Sequence, residues 1–198
     1  MLAMLNASKV IDRLNRRVGQ SVIWLILMAV LVSTFNALIR KFFNFSSNAF
    51  LELQWYLFSG VFLLSGAYTL ARNGHVRIDV VSGRFGPRGQ AWIDVFGLIF
   101  FLAPVCVLVL VTSWPVFVSS LESGEVSNNA GGLLLWPARL LVPVGFGLLL
   151  LQGASELIKR IAVLKGIEDA SLVVKEEPSA EEALAEEIRR MQNNQGAS

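Results

Sequence analysis

The 198 residues include one cysteine, Cys106, and one histidine, His75. A lone cysteine cannot close an internal disulfide, nor can it run the dithiol exchange of four-span thiol oxidoreductases. A lone histidine cannot supply the two imidazoles of a haem held between helices. Charge is scarce as well. Only 16% of residues are Asp, Glu, Lys or Arg, against 54% hydrophobic. The mean hydropathy of +0.58 is too high for a soluble domain of this size. The sequence has no nucleotide-binding loop and no cluster with metal-ligand spacing. The expectation is a protein without catalytic residues, cofactor or metal.

What the sequence has instead is four long apolar runs, at about 19–39, 50–71, 93–118 and 136–158. Each reaches the ~20 residues a helix needs to cross a hydrocarbon core of ~30 Å. A strand-built barrel would show many short alternating segments, and none occur. The fold expected is all-α: an integral membrane protein with four transmembrane helices. The first run is longer than a signal-peptide core. No small-x-small cleavage pattern follows it before Arg40, so it is read as a retained span.

The positive charge is segregated. Lys9, Arg13, Arg16 and Arg17 precede the first run, Arg72, Arg77, Arg84 and Arg88 lie between the second and third, and Lys159, Arg160 and Lys165 follow the fourth. The loop between the third and fourth runs carries Glu122 and Glu125 but no Lys or Arg. Lys and Arg flanking spans stay on the cytoplasmic side, so both termini and the His75 loop are expected inside. Arg40 and Lys41 are exceptions, too few to reverse the assignment. The centres of all four runs lack Asp, Glu, Lys, Arg and His; Glu52, Asp94, Arg139 and Glu156 lie near run ends. Antiporters of similar size need an acidic residue in mid-membrane. The pattern therefore points to a chain that anchors rather than conducts.

Three regions are expected: a basic segment 1–18, a four-helix domain 19–166 and an acidic cytoplasmic tail 167–198. In the first, Ala7, Ile11, Leu14 and Val18 recur at helical spacing opposite the basic residues, as in an amphipathic lead-in along anionic headgroups. In the first span Ala29, Ser33 and Ala37 recur every fourth residue, a small-residue stripe that lets another helix approach closely. Glu52, Gln54, Trp55 and Tyr56 form a polar and aromatic collar where the second span opens. Pro104 is expected to bend the third span, with Trp114 and Pro115 at its outer end. Trp136-Pro137 opens the fourth. Asn73-Gly74 ends the second span; an extended lead is then expected to enter a short in-plane helix capped by Asp79, running to Phe85 and stopped by Gly86-Pro87, while the alternation of His75, Arg77 and Asp79 with Val76, Ile78 and Val80 also permits a short extended segment. In the tail, Ser179 and Glu182 have capping-box spacing, but so short a helix is marginal alone, and the tail is expected to be mobile without a partner.

The stretch Arg40-Lys41-Phe42-Phe43-Asn44, then Glu52-Leu53, the late Gly66-Ala67 and the string Gly74-His75-Val76-Arg77-Ile78-Asp79-Val80 together resemble the DctQ family. These are the small membrane subunits of tripartite ATP-independent periplasmic (TRAP) transporters. Trp136-Pro137, Arg139 and Gly145 are similar to the family's fourth span. The likeness covers roughly residues 10–165. It departs from the pattern at Lys41, where an aromatic is usual, and in the acidic tail. The resemblance implies a bacterial inner-membrane scaffold subunit. Its partners would be a large multi-span subunit, a periplasmic substrate-binding protein and membrane lipid, with no nucleic acid. The assembled transporter would import an organic acid anion, driven by sodium. The competing reading is a small membrane enzyme or adaptor unrelated to transport.

Alternatives stay open at individual residues. Glu52 either pairs with Arg40 across the outer ends of the first two spans, or meets the large subunit or the docked binding protein. His75, Arg77 and Asp79 are read as holding the inner loop against span ends, headgroups and the partner. Glu122 and Glu125 form either an ordinary solvated loop or an acidic docking surface for the binding protein.

Overall fold

A computed structural model describes residues 2–44, 47–72 and 87–166. Among them the chain is helical, with one isolated β-bridge between Val126 and Leu134. Helix α1 spans Leu2–Phe43, α2 Asn48–Ala71 and α3 Pro87–Gly97; a π-helical turn, Leu98–Leu102, joins α3 to α4, Ala103–Ser123, and α5 spans Trp136–Leu164. Counting α3, the π turn and α4 as one rod, four helices are long and apolar enough to cross a membrane. The expected in-plane helix at 79–85, the His75 loop and the acidic tail lie outside the described residues.

Helix α5 is the centre of the arrangement. It packs against α1, α2, α3 and α4; α1 and α2 also pack on each other, whereas the backbones of both stay more than 8 Å, Cα to Cα, from those of α3 and α4 among the described residues. The interior is built from small side chains: Ala29, Ala67, Ala162 and Cys106 are all buried. Large apolar groups such as Phe62, Phe42 and Trp55 point outward. Between helices in lipid there is no hydrophobic drive to hide them, and close backbone approach supplies the contact energy instead. Gly145 shows how close that approach is. A Cβ there would lie 2.8 Å from Leu63 Cβ and 2.9 Å from the Leu63 carbonyl oxygen.

The basic N-terminal segment is helical, but it is not a separate element. It continues without a break into the first span as one 42-residue helix, about 63 Å long at 1.5 Å per residue. Its packed face also differs from the expected apolar one. Leu5, Ser8, Asn15 and Gly19 are buried, while Ala7 and Leu14 are exposed. The polar side chains find partners on α5, and that outweighs the apolar stripe, which surrounding lipid can cover.

The proline in the third span acts through the π turn. The Ala103 N–H bonds to the Leu98 carbonyl five residues back, widening the helix where the Pro104 ring would otherwise collide with the preceding turn. Pro115 does not end this helix, which runs on to Ser123 and is capped by Gly124 at φ 60°. That left-handed conformation suits a glycine. Pro87 opens α3 and Pro137 stands in the first turn of α5, positions where the missing N–H removes no helical bond.

Candidate functional site

Two polar clusters occupy opposite ends of the helices. At the end expected outside, Glu52 on the first turns of α2 is 6% exposed. Its Oε1 accepts hydrogen bonds from Ser127 Oγ at 2.5 Å and Asn129 Nδ2 at 2.7 Å. Its Oε2 accepts from the Leu133 backbone N–H at 2.7 Å. One carboxylate thus gathers both limbs of the loop joining α4 to α5. The loop has a hairpin's bonding: the Ser127 N–H donates to the Leu133 carbonyl at 2.9 Å and the Leu135 N–H to the Glu125 carbonyl at 3.0 Å. Gly131 turns it at φ 73°. Tyr56, one helical turn below Glu52, donates its hydroxyl to the Leu134 carbonyl at 3.2 Å. Arg139, at the start of α5, donates to Glu125 from both terminal guanidinium nitrogens, the two-pronged geometry that makes such pairs the stronger kind.

The Arg40–Glu52 pair expected from sequence is corrected by this geometry. Both oxygens of Glu52 are taken by donors on the α4–α5 loop, among them a backbone N–H that cannot move away. Arg40 is exposed. Glu125 is committed to Arg139, and Glu122 stays exposed, its carboxylate without a partner among the described residues. Of the stripe on α1, Ala29 is buried, Ser33 half-buried and Ala37 exposed, so the packed face turns away from Ala37 toward Asn36. His75, Arg77 and Asp79 lie outside the described residues.

The second cluster was not foreseen. Gln152, Ser155, Glu156 and Lys159 line one face of α5 and are all buried, as are Ser8 and Asn15 facing them on α1. Lys159 Nζ lies 2.8 Å from Asp12 Oδ2 and 2.7 Å from Glu156 Oε1. Gln152 bridges the helices. Its amide nitrogen donates to Asp12 at 2.9 Å and to Glu156 at 3.1 Å, while its oxygen accepts from Asn15 Nδ2 at 2.7 Å. This orientation follows from the carboxylates being acceptors only. Ser155 has one hydroxyl proton, which goes to Asp12 Oδ1 at 2.8 Å, so Ser8 donates to Ser155 Oγ at 2.6 Å. Beside this cluster Arg160 Nε meets Asp94 Oδ2 of α3 at 3.1 Å. The spacing 152, 155, 156, 159 is the i, i+3, i+4, i+7 pattern of a helix face and was available in the sequence.

Both clusters tie helices or a loop together: Glu125, Glu156, Lys159 and Arg139 are ion-paired, and Glu52 is held by three neutral donors. Among the described residues no group of three His, Cys, Asp or Glu side chains is disposed to hold a metal.

Comparison with known proteins agrees with the resemblance. The family model of tripartite ATP-independent periplasmic transporters, DctQ component, matches residues 28–163. No curated protein and no solved structure matches the chain.

Proposed function

Since the chain belongs to the DctQ family, the small membrane component of TRAP transporters, we propose that it is the fixed scaffold on which the large subunit's moving parts work. The family consists of transporter subunits, not enzymes, and works with a large membrane subunit and a binding protein. The multi-pass helical structure accords with that membership.

The observation that carries the scaffold reading is the placement of the paired charges. They sit at two levels, Glu125–Arg139 with the Glu52 hub at one end and Asp12–Glu156–Lys159 with Asp94–Arg160 at the other. Between Arg17, Asp94 and Glu156 at one level and Arg40, Glu52, Glu122 and Arg139 at the other, the helices carry no ionisable chain except Cys106 and tyrosine. Clamps at both ends resist sliding of α1, α2 and α5, and the uncharged middle offers no ion its usual ligands. In the assembly proposed here both termini are cytoplasmic, the bilayer is the bacterial inner membrane, and Glu122, in the last turn of α4 beside the outer loop held by Glu52, faces the binding protein. The cargo is an organic acid anion and the driving ion sodium. His75, Arg77 and Asp79 bind the inner loop to the partner subunit.

Reconstitution of the three-component transporter tests this. Glu52→Gln, His75→Ala and Asp79→Asn should lower the amount of complex or raise the binding-protein concentration needed, and leave the sodium dependence unchanged. A variant that assembles fully but shifts the half-saturating sodium concentration or the Hill slope overturns the scaffold reading.

A further inference from the structure

The first helix is longer than the membrane is thick. From Arg17 to Arg40 is about 35 Å at 1.5 Å per residue, already more than a ~30 Å hydrocarbon core. The unbroken helix carries Val10 about 10 Å and Met4 about 20 Å beyond Arg17. The headgroup layer on each side is only about 5–8 Å deep. Lipid can cover Leu14, but on a straight course Val10 and Met4 stand in water, 61% and 51% exposed. Apolar side chains grouped outside the bilayer and rimmed by polar ones mark a contact surface. The rim here is basic. Lys9, Arg13 and Arg17 are exposed along one edge, and none of the three side chains has a partner among the described residues. Arg16, further round the helix, is already engaged. Leu5, Ser8 and Asn15 on the other side are buried, which fixes the direction in which this face looks.

We infer that this face is covered by the chain's own C-terminal segment: residues 180–191 lie as a helix along α1 from Met4 to Leu14, their acids against Lys9 and Arg13. Three observations select this occupant. The first is where the segment begins. Helix α5 ends at Leu164 and the chain turns at Gly166, φ 71°, while Ala162 packs on Leu5. The tail therefore leaves the bundle within about one helical turn of the start of α1, whichever way the bundle faces across the membrane. The second is length. Residues 167–178 reach about 40 Å when extended at ~3.3 Å per residue, enough to arrive anywhere on the face. Residues 180–191 as a helix are about 18 Å long, against about 15 Å from Met4 to Leu14.

The third is charge and pattern. Residues 73–86, at the same end, carry His75, Arg77 and Arg84 against Asp79, the wrong sign for a basic face. Residues 167–198 carry eight acids against Lys175, Arg189 and Arg190. After the Ser179 cap, Leu184, Ile188 and Met191 share one helical stripe, with Glu181 and Glu187 on its two flanks, an amphipathic pattern. The stripe matches Val10 and Leu14, and the flanking carboxylates match Lys9 and Arg13. So short a helix is marginal alone and gains its partner in α1.

The test is a disulfide between Val10→Cys and Leu184→Cys in the full chain under mild oxidation. It is run in detergent, and again in complex with the large subunit in bilayers of phosphatidylethanolamine and phosphatidylglycerol. Native Cys106 is buried and stays out of the reaction. The expected result is a disulfide within one chain, formed at least tenfold more than between Trp92→Cys and Leu184→Cys; Trp92 is exposed at the same end, on α3. Lys9→Glu with Arg13→Glu should cut the yield at least fivefold at unchanged melting, and adding Glu181→Lys with Glu187→Lys should restore it. A yield no higher than that of the Trp92 pair overturns the inference, as does one indifferent to the first charge reversal or not recovered by the second. A disulfide formed only between two chains overturns it in favour of a second copy, and one lost in the anionic bilayer in favour of lipid. Loss when the large subunit binds overturns it in favour of that partner. None of these outcomes touches the sodium test of the scaffold role.

Discussion

The ammonium of Lys159 on α5 lies 2.8 Å from the carboxylate of Asp12 on α1, joining the last turns of the fourth span to a segment that precedes the first. Lys159 is 4% exposed and the Glu156 beside it 6%. Taking such charges out of water is costly, and burial alone would not make the pair favourable. What the pair supplies is register. With Gln152, Ser155 and Asn15 bonded around it, α1 can neither rotate nor slide by one residue without leaving several polar groups unpaired in a dry interior.

Replacing only Lys159 by Met should therefore be severe. Two carboxylates would be left together without a counter-charge, a type of loss that costs about 3–5 kcal/mol, reduced here because Asp12 is 25% exposed. The combined variant Asp12→Leu, Glu156→Leu, Lys159→Met should recover much of that loss. Thermal unfolding of the purified protein in detergent compares them; a triple variant as unstable as the single one would show that the network contributes stability rather than register.

Glu52 should be needed for order in the outer loop. Glu52→Ala removes the acceptor for three donors, and hydrogen bonds to a carboxylate are stronger than those between neutral groups. The Leu133 amide should then exchange with solvent much faster, and a protease added from outside should cut between α4 and α5. Arg40→Ala should leave both readouts unchanged, because Arg40 is not among the partners of Glu52.

Two glycines of α5 should respond in opposite ways to alanine. At Gly145 the new methyl meets Leu63 backbone and side chain at 2.8–3.1 Å, whereas at Gly147 its nearest neighbour is Leu110 Cδ2 at 3.9 Å. Gly145→Ala should lower the melting temperature and Gly147→Ala should leave it unchanged or slightly raised, since a helix gains about 1 kcal/mol when glycine becomes alanine at an unstrained site.

Orientation is checked by labelling. Cysteine introduced at Asn128, exposed on the outer loop, should react with a membrane-impermeant thiol reagent in intact cells; cysteine at Lys165, exposed just after α5, should react only after lysis. Native Cys106 is buried and should stay silent in both. The reverse pattern would invert the topology read from the basic residues.

Span number, helical class and family were legible in the residues themselves, because crossing a bilayer imposes a length and a polarity on each segment regardless of its neighbours. Hydropathy and the Gly-His-Val-Arg-Ile-Asp string needed no tertiary information. Pairing of side chains did not share that independence. Lys41 and Arg40 are the basic residues nearest Glu52 along the chain, yet its partners come from positions 127, 129 and 133, brought over it only when α4 and α5 are in place. Likewise Glu156 and Lys159 read as span-end charges, and Asp12 as a stray acid in a basic segment, until α1 and α5 packed side by side. A hydrogen bond depends on atoms meeting within about 3 Å. Local composition decides which segments enter the membrane, and only the packing of those segments decides which polar groups meet there.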